Sequence, residues 1–347
     1  MFLPIASVVA AAATLGLTPL VQKMGLQWGY VDQPGKRKVH QQPIVRVGGI
    51  AIFAGTMLTL LVAFFSNSFH VLSTPAQWQI IGILLGGAGF FLIGLLDDVL
   101  NLSPFIRLFL QGVVACLCWS LGVRVEALPI PFVGAFPTGV LSLPITFFWL
   151  AGVANAINWI DGLDGLAGGV SAIAAIAFGI LCWDNPPLAL IALSLAGSLI
   201  GFLRYNVNPA RIFMGDGGSY FIGFTLAAIG AVGMMHSSTF TETSLPFWIL
   251  AVPIADMVRV IASRLWERKS PFFADQRHLH HKLLKANFSV KGAVTFVWCL
   301  TGWFGVWAAI NAAIPYSTIA LLISSILLVM SSLPLWSPLL PTPARSR

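Results

Sequence analysis

Asn155-Ala-Ile-Asn158-Trp-Ile-Asp161-Gly-Leu-Asp164-Gly-Leu-Ala-Gly168-Gly169 lies between two long apolar runs, yet it packs two carboxamides and two carboxylates into ten positions. A carboxylate at the centre of a membrane span costs roughly 2.5–3.5 kcal/mol or more, so residues of this kind are kept for a task. If the preceding run is helical, Asn155 and Asn158 are three apart and share a face of its last turn. Continuing that helix would swing Asp164 to the opposite side; Gly162 and Gly165 instead predict a break in the backbone. A new apolar run starts at about Leu166, which leaves Asp161 and Asp164 on a loop at a helix N-terminus. Partial positive charge and free N–H groups there suit a phosphate-bearing ligand. The plainer alternative is a polar hairpin that satisfies its own hydrogen bonds.

Outward from this stretch, the chain is 57% hydrophobic and 9% charged, against roughly 25% charged in an average soluble domain. The expectation is an all-α, polytopic membrane protein forming one integral-membrane domain over 1–347, with 336–347 a flexible cytoplasmic tail. Eleven candidate spans fit a bilayer of about 30 Å. They are 2–22, 47–66, 78–96, 105–122, 139–158, 166–183, 187–203, 218–236, 244–264, 293–312 and 316–335. The first lacks a basic start and ends at Lys23, as a retained span does.

Eighteen of the nineteen Lys and Arg residues then fall on one side, with Arg124 alone on the other. The positive-inside rule makes that side cytoplasmic, with the N-terminus outside and the C-terminus inside. A basic inner surface facing anionic lipid accounts for the net charge of +7 without a nucleic acid partner. The four cysteines fall inside the expected spans and show neither metal spacing nor a disulfide framework.

Every dense polar cluster lies on the inner side, which is the main argument for a cytoplasmic active site. The first inner loop carries Lys36, Arg37, Lys38, His40 and Arg46 around Pro34-Gly35. These cations suit anionic phosphates; for Lys36 and Arg37 a charge cluster that sets topology is an equal alternative. At the inner end of the third span stand Asp97 and Asp98, with Asn101 three residues beyond Asp98. Adjacent carboxylates repel unless a cation or shared proton lies between them, and the pair suits magnesium binding or general-base work. The alternative is a pair of interfacial acids.

A further inner loop runs Arg204-Tyr-Asn206-Val-Asn208-Pro209-Ala-Arg211-Ile-Phe213-Met-Gly215-Asp216-Gly217-Gly218-Ser219. Its glycines let backbone come close to a ligand, and Asp216 among them has the look of a magnesium ligand facing a diphosphate. Phe213 either stacks on a base or anchors at the interface. In the ninth span Asp256 and Arg259 are spaced as a helical ion pair. The last inner loop holds His278-Leu-His280-His281-Lys282, which fits an anionic phosphate better than zinc because no cysteine is near.

With these clusters assembled, the chain resembles the polyprenyl-phosphate N-acetylhexosamine-1-phosphate transferases, from about residue 30 to 285 and in the family's motif order. Asp97-Asp98, Asn155 to Gly165, Phe213 to Ser219 and His278 to His281 carry the likeness. Lys38-Val-His40 through Arg46-Val-Gly48-Gly49, with the His-Leu-His-His form, resembles the branch that uses UDP-N-acetylglucosamine. The branch using UDP-muramoyl-pentapeptide typically has three consecutive histidines. Two departures are Val45, where that motif often has proline, and Arg277, which follows Asp275 by two rather than one. They bear on the sugar, not on the enzyme class.

The resemblance implies that undecaprenyl phosphate attacks the β-phosphorus of UDP-N-acetylglucosamine, releasing UMP and a lipid diphospho-sugar that initiates cell-envelope glycan synthesis. It further implies Asp216 as the Mg2+ ligand, with Mn2+ as a substitute. Asp98, supported by Asp97, would activate or position the lipid phosphate. Asp161, Asn155 and Asn158 would hold the nucleotide-sugar diphosphate region, and Asp164, Phe213 and Asn206 the uracil. Lys38, His40, Arg46, His278, His280 and His281 would bind phosphate or sugar. Localisation in the plasma (inner) membrane follows, and exposed apolar span faces are compatible with a homodimer. The rival donors are another UDP-N-acetylhexosamine and the muramoyl-pentapeptide. The rival class is an ion-coupled transporter, which predicts acids near mid-membrane and an internal repeat.

Overall fold

The computed structural model describes residues 2–33, 43–65, 74–268, 270 and 277–336. Its helices in order are α1 (Phe2–Trp28), α2 (Gly49–Phe65), α3 (Thr74–Leu100), α4 (Pro104–Ser120), α5 (Ser142–Ile160), α6 (Leu166–Leu181), α7 (Pro186–Asn206), α8 (Gly215–Gly233), α9 (Phe240–Ile249), α10 (Ala251–Trp266), α11 (Leu279–Lys285), α12 (Val290–Asn311) and α13 (Ser317–Trp336). The bundle is organised around α8, where every residue from Gly217 to Val232 is buried. A helix apolar on all sides belongs in a core, and α8 packs against α3, α5 and α2. On one flank α1 lies against α7, where small residues bring the backbones together. A Cβ added at Gly197 would lie 2.0 Å from the Ser7 carbonyl oxygen, and one at Gly201 2.5 Å from that of Ala11. This is the small-residue spacing that lets membrane helices associate by van der Waals contact.

Each of the eleven expected segments coincides with helix, but among the described residues five single helices are by length and apolarity alone long enough to cross a membrane. A sixth candidate is the pair α9 and α10, bent by 76° at Leu250. Here the expected continuous segment 244–264 is corrected to two helices. Pro253 has no N–H for the Ile249 carbonyl, so the ladder cannot run through. The helices α2, α4, α6 and the Ser317–Leu333 part of α13 are apolar but shorter.

The described chain is mostly helical, as expected. Two short antiparallel ladders are present: β1 (Val31–Asp32) with β2 (Ile44–Val45), and the hairpin β3 (Ala127–Ile130) with β4 (Gly134–Pro137). The first of these matters for the site, because Val45 also bridges Ile212 in parallel. The Phe213 N–H donates to the Val45 carbonyl at 2.7 Å, and the Phe213 carbonyl accepts from Gly48 N–H at 2.9 Å. Two loops far apart in sequence are thereby joined at the start of α2 and α8.

Candidate active site

The break predicted after Asn158 is present. Helix α5 ends at Ile160, and Gly165, with φ of 79°, precedes the first residue of α6. The loop between them carries Asp161 and Asp164. Asp164 does not stand free: its Oδ2 accepts from Asn208 Nδ2 at 2.9 Å and from Ala210 N–H at 3.0 Å. Asn206 completes the join, accepting from Gly165 N–H at 3.1 Å and donating to the Ile212 carbonyl at 2.9 Å. Both residues, expected at the uracil, therefore shape the 206–213 loop on which half-buried Phe213 stands.

Asp98 is buried and spends both carboxylate oxygens on backbone. It accepts from the N–H of Asp216 at 3.1 Å and of Gly217 at 3.0 Å. Those are first-turn donors of α8 without intrahelical partners, so Asp98 caps that helix from α3. Arg46 donates to the Asp98 backbone carbonyl, which ties the start of α2 to the same point. Close approach is built in: a Cβ at Gly94 would lie 2.2 Å from the Asp216 carbonyl oxygen. Because that neighbour is backbone, Gly94→Ala must push α8 away from α3. We expect it to cost about 1–3 kcal/mol of stability and to depress activity together with the thermal midpoint.

Asp216 sits in the first turn of α8 with a third of its side chain exposed. Its Oδ1 accepts from Asn158 Nδ2 at 2.6 Å, and Asn158 also donates to Ser219 Oγ at 2.9 Å. Arg107 pairs with Asp97 at 2.5 Å and lies 3.8 Å from Asp216 Oδ2. In the sequence Arg107 served only to orient the membrane. The signal that could have found it is the short turn at Asn101–Ser103, which returns α4 antiparallel to α3 and brings its first turn back to Asp97. Asn155 turns the other way, donating to Gln111 Oε1 at 2.9 Å and to the Ala151 carbonyl at 2.7 Å.

Asp161 meets solvent at one edge but lies deep among protein atoms. That desolvation, with the nearby charges of Asp98 and Asp164, raises its pKa from the ordinary carboxylate value to about 7. The histidines close the site from another side. A Cβ at Gly162 would lie 2.4 Å from His280 Nε2, so α11 rests directly on the Asp161 loop. Burial, then the neighbouring His281 and His278, lowers the His280 pKa to about 4. His278 Nδ1 lies 2.8 Å from Asp256 Oδ2, and Asp256 also pairs with Arg259 at 2.7 Å. The expected ion pair is present, but it has a second purpose that the sequence did not reveal. Lys38 and His40 lie outside the described residues.

These groups come from the ends of α3, α5 and α7, the starts of α2, α4, α6, α8 and α11 and the middle of α10, brought together at one end of the bundle. Beside them an apolar groove of about 650 Å³ runs between α1, α2 and α3, lined by Val21, Trp28, Val47, Ile50, Leu95 and Val99 among others. Its walls include the neighbours of Arg46 and Asp98. No group of three or more His, Cys, Asp or Glu among the described residues is arranged as a metal cage. Magnesium does not need one, since it takes one or two carboxylates and completes its shell with water and substrate phosphates. Asp216, a third exposed, with Oδ1 held by Asn158 and Oδ2 3.8 Å from Arg107, is the carboxylate that would fit that role.

The sequence profile described as Glycosyl transferase family 4 matches residues 80–234. Among curated relatives, a Bacillus subtilis protein described as probable undecaprenyl-phosphate N-acetylglucosaminyl 1-phosphate transferase is 32% identical over 309 residues, covering 88% of this chain and 84% of its own. The undecaprenyl-phosphate alpha-N-acetylglucosaminyl 1-phosphate transferase of Haemophilus influenzae is 32% identical over 305 residues, 84% of this chain and 82% of its own. The decaprenyl-phosphate N-acetylglucosaminephosphotransferase of Mycolicibacterium smegmatis is 31% identical over 327 residues, 86% and 80% respectively. With relatives this similar along most of both chains, and with the motif acids gathered at one end of the bundle, the chain belongs to glycosyl transferase family 4.

Proposed function

We propose that the protein transfers N-acetylglucosamine 1-phosphate from UDP-N-acetylglucosamine to undecaprenyl phosphate. The products are UMP and a lipid diphospho-sugar that starts a cell-envelope glycan such as lipopolysaccharide or teichoic acid. The observation that carries the reading is Asp216 held between Asn158 and Arg107, against an α8 N-terminus capped by Asp98. The relatives' names supply the chemistry that this arrangement suits. An apolar groove reaching Leu95 and Val99 suits an acceptor whose phosphate is carried on a polyprenyl chain.

In this reaction an oxygen of the lipid phosphate attacks the donor's β-phosphorus. The bond from that phosphorus to the bridging oxygen breaks, and its electron pair leaves with UMP. Both reactants are anionic, so the chain must offset their repulsion. Arg107 and Arg46 supply positive charge, while the N–H groups of Asp216 and Gly217 at the start of α8 are already taken up by Asp98. Asp216 would hold magnesium, or manganese in its place, which when bound neutralises charge on the diphosphate and the departing UMP. Asp98 already accepts a backbone N–H at each carboxylate oxygen, which makes it a poorer nucleophile and favours direct displacement over a phospho-aspartyl intermediate. The Asp164–Asn206 framework holds the 206–213 loop in place for the uracil, and α11 with Asp161 bounds the sugar-diphosphate side.

The eleven apolar segments, counting α9 and α10 together, cross a plasma membrane with the basic loops and the site on the cytoplasmic face. UMP release by purified protein given undecaprenyl phosphate and magnesium tests the donor. We expect turnover with UDP-N-acetylglucosamine and its loss in EDTA. Turnover with UDP-muramoyl-pentapeptide alone would keep the chemistry and overturn the donor.

A further inference from the structure

The structure assigns Asp256 as a positioning residue that seats the histidine segment and fixes the ring state of His278; the substrate side of this inference rests on the function proposed above. Asp256 is buried on α10, across the break from α9. Its Oδ1 accepts from the Leu279 N–H at 2.8 Å and from Arg259 at 2.7 Å, while Oδ2 faces His278 Nδ1 at 2.8 Å. Arg259 also donates to the Arg277 carbonyl at 2.5 Å. One carboxylate and its guanidinium partner thus hold three consecutive residues, 277–279, at the entry of α11.

Chemistry decides the ring state. A carboxylate flanked by a guanidinium is an acceptor only, so Nδ1 of His278 carries the proton that bridges to it. The far ring nitrogen, Nε2, is then the one left for a ligand. The ring is further confined by neighbours. Trp159 meets it edge-on at 5.9 Å, the His280 ring lies parallel at 5.8 Å, and Arg264 covers Trp159 at 5.2 Å. Trp159 follows Asn158, which holds Asp216, so the seat of His278 is built onto the same turn of α5 as the carboxylate of the site. A helix pair broken at Leu250 brings Asp256 to this place, and an unbent α9–α10 segment would direct it elsewhere.

The test combines kinetics with a ring-nitrogen readout. In wild-type protein labelled with 15N-histidine, the His278 signals, identified by their disappearance in His278→Gln, should show the proton on Nδ1 above neutral pH. A proton on Nε2 would overturn the assignment, and this result does not depend on which substrate the enzyme uses. Asp256→Asn can donate to Nδ1 and so reverse the ring state; we expect it to lower kcat/KM about 10- to 100-fold. In the His278→Gln background the same substitution should add less than a further threefold. Full multiplication of the two losses, with equal falls in thermal midpoint in both backgrounds, would mean that Asp256 acts only as a structural support. Asp256→Glu, which keeps the acceptor, should recover part of the loss; failure of Glu to do better than Asn would count against the proposal. Absence of turnover in the wild type with every UDP-sugar, alongside an Nδ1 proton, would strike the proposed function and leave the seat of His278 standing.

Discussion

Asp216→Asn is expected to reduce transfer by about 10²–10³-fold, the loss that follows removal of a preorganised charge from a reacting centre. The substitution keeps the shape of the side chain and the contact with Asn158, so the bundle should fold. The helix start loses only the carboxylate–dipole attraction, about 0.3–1 kcal/mol. Initial rates of UMP release and thermal unfolding of the same preparation check both halves. A variant with more than a tenth of wild-type activity would remove Asp216 from the centre of the site. In either outcome the neighbours sharpen the reading: Arg107, 3.8 Å from Asp216 on one side and paired with Asp97 on the other, balances both acids.

Asp98→Asn should fail differently, losing both activity and stability. Its two oxygens accept from two N–H groups of α8, and an amide can offer one oxygen only. The second donor would then face an NH2 group in a buried place. Hydrogen bonds to charged groups contribute about 1.5–3 kcal/mol each, so a drop of roughly 2 kcal/mol in stability should accompany an activity loss of about 10²-fold or more. A free general base would lose activity and keep its thermal midpoint. Equal midpoints for Asp98→Asn and wild type would therefore refute the capping role and return Asp98 to the lipid phosphate.

How far the sequence could be read depended on whether a residue's partner was near in the chain. The loop after Asn158 was legible because Gly162 and Gly165 interrupt an apolar run that two aspartates would otherwise make costly. Asp216 stood out because glycines surround it. By contrast, the type and position of Asp98 say nothing of where its oxygens point, and its cap partners lie 118 and 119 residues away. Asp256 was read as half of an ion pair with Arg259, one helical turn on; the His278 that it also holds is 22 residues distant, beyond a break. Asn155 and Asn158 do share the inner part of α5, yet one serves α4 and the other α8. The short β-ladders and the Val45–Ile212 bridge were invisible, since two-residue strands have no alternation to detect. The bend at Leu250 had a visible cause in Pro253, but a long apolar run masked it.

In this transfer the phosphate travels with the sugar, and a donor labelled with 32P at its β-phosphorus reports where it goes. Purified protein in vesicles containing undecaprenyl phosphate would be given UDP-N-acetylglucosamine so labelled, with magnesium, and extracted into organic solvent. One label is expected in the lipid fraction for each UMP released. Label remaining in the water phase as UDP, with unlabelled sugar on the lipid, would contradict it and make the enzyme a transferase of the sugar alone.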